Sequence, residues 1–151
     1  MIYAFKLKEL REEKNINQLE LSKTLNIDNS VYAKYEKEYE IIPIKHLNTL
    51  CNYFNVSFDY IFGFTNDLNY PNMLKEIDTK KTGTRLKELR KEHKITQTIL
   101  GDELNCSYGT IAGYEIGRYL IATPFLYTIC KKYHISADYL LGKIDSPKYL
   151  K

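Results

Sequence analysis

The chain has 151 residues, 44% of them apolar, and its 22 Lys/Arg against 19 Asp/Glu leave a net charge of +3. No run approaches the roughly 18 apolar residues of a membrane span, and acidic residues follow closely on the short apolar start MIYAFKLKEL, so the pattern predicts neither a spanning helix nor a signal peptide. Three cysteines, Cys51, Cys106 and Cys130, show no Cys-x-x-Cys spacing, and His46, His93 and His134 are scattered; this predicts reduced thiols in a cytoplasmic protein and no metal site.

In chain order, Leu7, Leu10 and Ile16 follow helical spacing and predict a first helix from Ile2 to about Lys14. Asn17 is placed to cap a second, Gln18–Leu25, with Glu20 completing a capping box. After the short connection NID, Asp28 is placed to cap a third, Asn29 to about Lys37, on which Tyr32 and Tyr35 share a face. A fourth helix is expected from about Ile44 to Phe54 with Leu47, Leu50, Cys51 and Phe54 inward, and a last short one capped by Ser57 and ending at Gly63. The stretch FTNDLNYPNMLKEIDTKKTG mixes turn formers with a single helical turn near Met73–Ile77 and predicts a partly ordered linker. Beyond it the plan repeats as Thr84–His93, Gln97–Leu104, Tyr108–Ile116, Pro124–Tyr133 and Ser136–Leu141, with Thr96, Ser107, Thr123 and Ser136 as N-caps and Pro124 at the first helical position.

The repetition is literal: KLKELREEKNINQLEL from Lys6 returns as RLKELRKEHKITQTIL from Arg85. An offset of 79 residues holds without a gap from Leu7/Leu86 to Gly63/Gly142, with 22 identities among the 57 pairs. Two domains follow, residues 1–65 and 83–151, joined by a linker at 66–82. Charge is unevenly divided, since residues 1–66 hold 8 Lys/Arg against 9 Asp/Glu while residues 80–151 hold 13 against 7. A basic second half suits a polyanion partner, although cationic solvated faces are common.

Two short helices joined by a three-residue turn have the layout of a helix-turn-helix, in which helix N-termini approach phosphates and base edges. The stretches LKELREEKNINQLELSKTLNIDNSVYAKYEKE and LKELRKEHKITQTILGDELNCSYGTIAGYEIG, each followed by a closing segment (YFNVSFDYIFG and YHISADYLLG), resemble the phage-repressor and Cro type of helix-turn-helix, the XRE-like family. The resemblance covers residues 7–63 and 86–142 and implies an all-α protein of two consecutive five-helix lambda-repressor-like DNA-binding domains. It further implies that Gln18 and Gln97 contact DNA phosphate and that Arg11–Glu36 and Arg90–Glu115 are structural ion pairs.

By the same resemblance the DNA-binding positions of the first half are Asn29, Ser30 and Lys34, with Lys37 beside them. Asn can pair with adenine, Lys can donate to guanine, and Ser serves base or phosphate. In the second half these slots hold Tyr108, Gly109 and Gly113, with Thr110 between, and Arg118 follows as a phosphate contact. Gly113 is open to two readings, close backbone approach to DNA or a packing accommodation. Among the six positions Asn29–Lys34 only Ala33/Ala112 is shared, so the two copies are not expected to prefer the same bases.

The leading functional expectation is a sequence-specific transcriptional regulator, a repressor of bacterial or phage type, with double-stranded operator DNA as partner. The alternative keeps the fold but makes it a protein-interaction module of antitoxin, dimerisation or inhibitor type, serving a homodimer or a regulatory protein partner. No nucleophile constellation or phosphate loop recurs, so no enzyme and no cofactor are expected.

Overall fold

A computed structural model describes residues 2–151, and the chain divides into two units, one ending at Pro71 and the other spanning Asn72–Lys151. The first contains α1 (Ile2–Glu13), α2 (Gln18–Leu25), α3 (Asn29–Glu36), α4 (Ile44–Phe54) and α5 (Phe58–Ile61). The second contains α6 (Thr79–Glu92), α7 (Gln97–Leu104), α8 (Tyr108–Glu115), α9 (Thr123–Tyr133) and α10 (Ala137–Leu140). Apart from an isolated antiparallel bridge between Ile135 and Tyr149, the described residues form helices and their connections. The protein is all-α, and none of its described helices is long and apolar enough to cross a membrane.

Each unit closes around its own core. In the first, Leu7, Leu21, Leu47, Leu50, Phe58 and Ile61 are fully buried; in the second, Leu86, Leu89, Leu100, Ile111, Leu126 and Leu140 are. Such side chains contribute about 1.5–3 kcal/mol each, which matters in units near the lower size limit for a self-sufficient core. Cys51 and Cys130 are buried and in no disulfide, whereas Cys106 is half-buried with its thiol pushed up by burial.

Local capping differs from the sequence expectation at several points. Asn17 accepts the Glu20 N–H at 2.9 Å, but the Glu20 carboxylate accepts the Tyr53 hydroxyl at 2.7 Å, so one arm of the expected capping box is turned to α4. Asp28 occupies the N-cap of α3 with extended backbone yet makes no side-chain capping bond, unlike its counterpart Ser107, whose Oγ accepts the Thr110 N–H at 3.2 Å. Ala122 rather than Thr123 stands at the N-cap of α9, and Pro124 accordingly falls one position inside the first helical residue.

The largest boundary shift is at α6, which begins at Thr79 instead of Thr84 because Asp78 caps it, accepting the Lys81 N–H at 3.0 Å. The expected turn of helix at Met73–Ile77 does not form. Main-chain bonds from Leu74 N to Lys143 O and from Asp78 N to Leu141 O, both 2.9 Å, tie this stretch to the end of the second unit. On the other side, Ser57 N donates to Leu68 O at 2.7 Å and the Tyr70 hydroxyl to Asp59 Oδ2 at 2.6 Å.

Candidate nucleic-acid interface

The helix pairs α2–α3 and α7–α8 are built alike. Asn26 and Asn105 end the first helix of each pair in the left-handed region, at φ 57° and 58°. Asn tolerates that conformation better than most residues. The chain then turns back at once: Ile27 N donates to Ser22 O at 3.0 Å and Cys106 N to Gly101 O at 2.8 Å. Gly101 is needed for this turn in the second unit, since a Cβ there would lie 2.7 Å from Cys106 O.

A four-part polar network fixes each pair to the helix before it. Arg11 donates from Nε and Nη2 to the two oxygens of Glu36, at 2.7 and 2.9 Å, and from Nη1 to Ile16 O at 3.0 Å. Gln18 Nε2 reaches the same carboxylate at 3.2 Å. Arg90, Glu115, Ile95 and Gln97 reproduce the arrangement at 2.8, 3.0, 3.1 and 3.2 Å. Both carboxylates are only 3% exposed, so each is a nearly buried charge satisfied by a planar fork and an amide. Burial alone would raise the Glu36 pKa, but the hydrogen bonds from Arg11 and Gln18 and the neighbouring Tyr32 hydroxyl outweigh it and hold the carboxyl below its ordinary value. That hydroxyl is itself buried and short of hydrogen-bond geometry; burial first, then Glu36, push its pKa far up.

The bond from Gln18 and Gln97 to the framework carboxylate was not part of the sequence reading, which gave these residues only a role toward phosphate. An amide nitrogen carries two hydrogens, so one remains for an external acceptor on each glutamine. The glutamine therefore connects the start of α2 or α7 to the end of the helix that follows.

The helices α3 and α8 differ on the side turned away from the core. Ser30 and Lys34 of α3 and Lys37 at its C-cap fall at i, i+4 and i+7 along one outward stripe and are exposed, as is Asn29 at the N-terminus of the helix. Lys34 Nζ lies 3.7 Å from Glu40 Oε1, with both side chains about half exposed. The same stripe in the second unit is Gly109 and Gly113 of α8 and Ile116 at its C-cap, and the exposed N-terminal residue of α8 is Tyr108. Thr110 is half-buried with its Oγ1 3.1 Å from Ser107 Oγ, and Arg118 is exposed in the loop beyond.

The two glycines of that stripe are not equivalent. A Cβ at Gly109 would meet nothing nearer than Ser107 Oγ at 3.7 Å, so its site has room for a side chain. Gly113 is buried, and a Cβ there would lie 2.7 Å from the Tyr119 hydroxyl oxygen and 2.8 Å from its Cζ. Of the two readings left open by the sequence, packing applies: Tyr119 lies over Gly113. Its ring meets Tyr114 edge-on at 5.9 Å and 89°, yet remains 47% exposed. Sequence reasoning passed over Tyr119 and Ile116. The available signal was the loss of a side chain at Gly113 together with the gain of an aromatic one six residues later.

Comparison with known proteins gives two matches to one family profile, described as helix-turn-helix, over residues 7–61 and 86–140. Among curated proteins, the chain is 33% identical over 63 residues to the uncharacterized HTH-type transcriptional regulator YobD of Bacillus subtilis (strain 168), covering 42% of this chain and 56% of that protein. It is 38% identical over 58 residues to the HTH-type transcriptional regulator ImmR of the same organism, covering 38% of this chain and 46% of that one. The matches thus span about half the length of these relatives. No solved structure matches.

Proposed function

The chain belongs to the helix-turn-helix family, and from that footing we propose that it is a cytoplasmic transcriptional regulator, a repressor, that binds double-stranded operator DNA through two unlike helix-turn-helix readers. The observation that carries this reading is the Arg–Gln–Glu network, which occurs twice with matching geometry beneath outward stripes that share no side chain. The regulators YobD and ImmR support the regulatory class.

In this reading α3 and α8 enter the major groove, and the N-termini of α2 and α7 with Gln18 and Gln97 face phosphates. Asn29, Ser30 and Lys34, flanked by Lys37, meet bases in the first unit; Tyr108, Gly109 and Thr110 do so in the second, and Arg118 meets a phosphate. Phosphate contacts supply affinity without sequence information, so the more basic second half contributes affinity and the first contributes selectivity. Repression follows when the bound chain covers a promoter.

The test is selection of the full chain on randomised duplex DNA at low salt, with Lys34→Ala and Arg118→Ala in parallel. Two unlike motifs within the selected duplexes are expected, with Lys34→Ala erasing one motif and Arg118→Ala weakening binding about equally on all sequences. A single motif abolished by Lys34→Ala would reduce the second unit to an accessory. Selection of no motif would overturn the reading.

A further inference from the structure

We propose that Tyr119, which comes from the loop after α8 and not from the helix, reads a thymine at the slot where α8 itself has only Gly113. The inference rests on the DNA-reading function above and assigns one base contact within it.

The 79-residue offset pairs Gly113 with Lys34 and Tyr119 with Glu40. In both units the loop residue lies against the helix residue: Glu40 holds Lys34 as an ion pair at 3.7 Å, and Tyr119 covers Gly113. What changes is which partner carries the head group. In the first unit the helix supplies it, and in the second the loop does. Gly113 is the glycine that makes this substitution fit, because any Cβ would collide with the phenol.

The ring is held from several sides. Gly117, at φ +75°, turns the chain out of α8, and Arg118 N donates to Gly113 O at 2.9 Å, which fixes the backbone just before Tyr119. Tyr114 meets the ring edge-on, and the Tyr114 hydroxyl accepts the Ala122 N–H at 3.3 Å, fixing the chain just after it. An aromatic side chain placed this firmly loses little freedom on binding, which suits a contact that must discriminate. It is nonetheless about half exposed on the outward stripe, where a core tyrosine would be covered.

The surroundings choose the base. Tyr108 and Ile116, 64% and 65% exposed at the two ends of α8, carry no charge, and Gly109 next to Tyr108 adds no side chain. In the major groove only thymine offers an apolar methyl group beside a hydrogen-bond acceptor, its O4. A phenol matches both, with the ring against the methyl and the hydroxyl donating to O4.

The experiment uses the full chain and the duplex it selects. Tyr119→Phe keeps the ring over Gly113 and removes only the hydroxyl, so a packing role predicts no change. The expected result is a loss of preference at one A·T position by about threefold to tenfold, as for one hydrogen bond, with affinity for unrelated sequence and the salt dependence unaltered. Deoxyuridine at that position, lacking only the methyl, is expected to weaken binding by the parent chain. Gly113→Ala, which displaces the ring, is expected to lose the same preference while far-ultraviolet circular dichroism stays helical. An unchanged motif with Tyr119→Phe overturns the inference and leaves the DNA-reading function standing. A uniform loss on every sequence also overturns it, in favour of a phosphate contact, and indifference to deoxyuridine overturns the thymine assignment. Failure of the parent chain to select any motif overturns both.

Discussion

The unit built from α1–α5 and the unit built from α6–α10 hold their third helices by the same network, yet differ in how closely the first helix approaches and in what the third helix turns outward. At the close approach, Gly83 of α6 lies against the end of α8, and a Cβ there would stand 2.5 Å from both Tyr114 O and Glu115 O. The equivalent residue of α1 is Ala4, whose methyl group is accommodated and buried. The difference teaches that the polar network sets which helices are joined, while the size of one residue sets how near they come. The outward stripe is then free to change without disturbing either.

The largest effect that would test this comparison comes from the network itself. Arg11→Ala and Arg90→Ala would each strand a carboxylate that is only 3% exposed, and breaking such a pair costs about 3–5 kcal/mol. Denaturant unfolding followed by hydrogen exchange in each unit should show losses of similar size, each in the unit mutated. A loss below about 1 kcal/mol in either would mean that its network is ornamental and the helices are joined by apolar packing alone.

Next in size is the close approach. Gly83→Ala should cost about 1–3 kcal/mol through overpacking against main-chain carbonyls that have no rotamer to yield. The reciprocal Ala4→Gly should cost about 1 kcal/mol, through helix propensity and a lost methyl contact. A cost for Gly83→Ala well below about 1 kcal/mol in thermal unfolding would remove the distinction between the units at this point.

A third difference is read by pH. The Tyr35 hydroxyl lies 3.1 Å from His46 Nδ1, and burial, with Lys45 adjacent, pushes the His46 pKa below its ordinary value. The neutral ring is therefore favoured in the folded state. Its contribution to stability is present above the ordinary histidine pKa of about 6.5 and is lost as pH falls through the depressed value. The second unit has Phe125 at the equivalent position, which cannot titrate. Hydrogen exchange between about pH 7 and 5 should show the first unit weakening from this cause, and His46→Phe should abolish that part of the slope. Glu36, held below the ordinary carboxyl range, adds a further loss of the same sign at more acidic pH. A slope unaffected by His46→Phe would show that the histidine is not the titrating group.

The fold was legible because its signals are local and occur twice. Helix spacing, the caps at Asn17, Ser57, Thr96 and Ser136, and the paired Leu and Tyr positions each predict the same elements independently. The start of α6 was misplaced because Asp78 lies within a stretch rich in turn formers, and its role as a cap depends on main-chain bonds to residues more than sixty positions away. At the candidate interface Asn29, Ser30 and Lys34 are named through the family resemblance, and helix spacing accounts only for their exposure. For Tyr119 the only signal was the exchange of side chains at positions 113 and 119, because its place over Gly113 depends on the path of an irregular loop, which periodicity does not encode.

The smallest change in stability, and the sharpest test of the outward stripes, is Glu40→Gln. The Lys34–Glu40 pair is about half exposed at both ends, and such pairs are worth about 0–1 kcal/mol, so unfolding should shift very little. Binding should respond more, because the change removes a carboxylate beside a lysine proposed to meet a base and frees Lys34 from its partner. A repulsion of roughly 1 kcal/mol between exposed charges corresponds to about fivefold tighter binding at low salt, and the gain should fade as screening increases. Titrations of one selected duplex at low and at near-physiological salt would read both parts. The corresponding change in the second unit, Tyr119→Phe, alters no charge and should leave the salt dependence where it was. If Glu40→Gln left low-salt affinity unchanged, Glu40 would lie away from the phosphates, and the electrostatic contrast between the two units would not extend to the bound state.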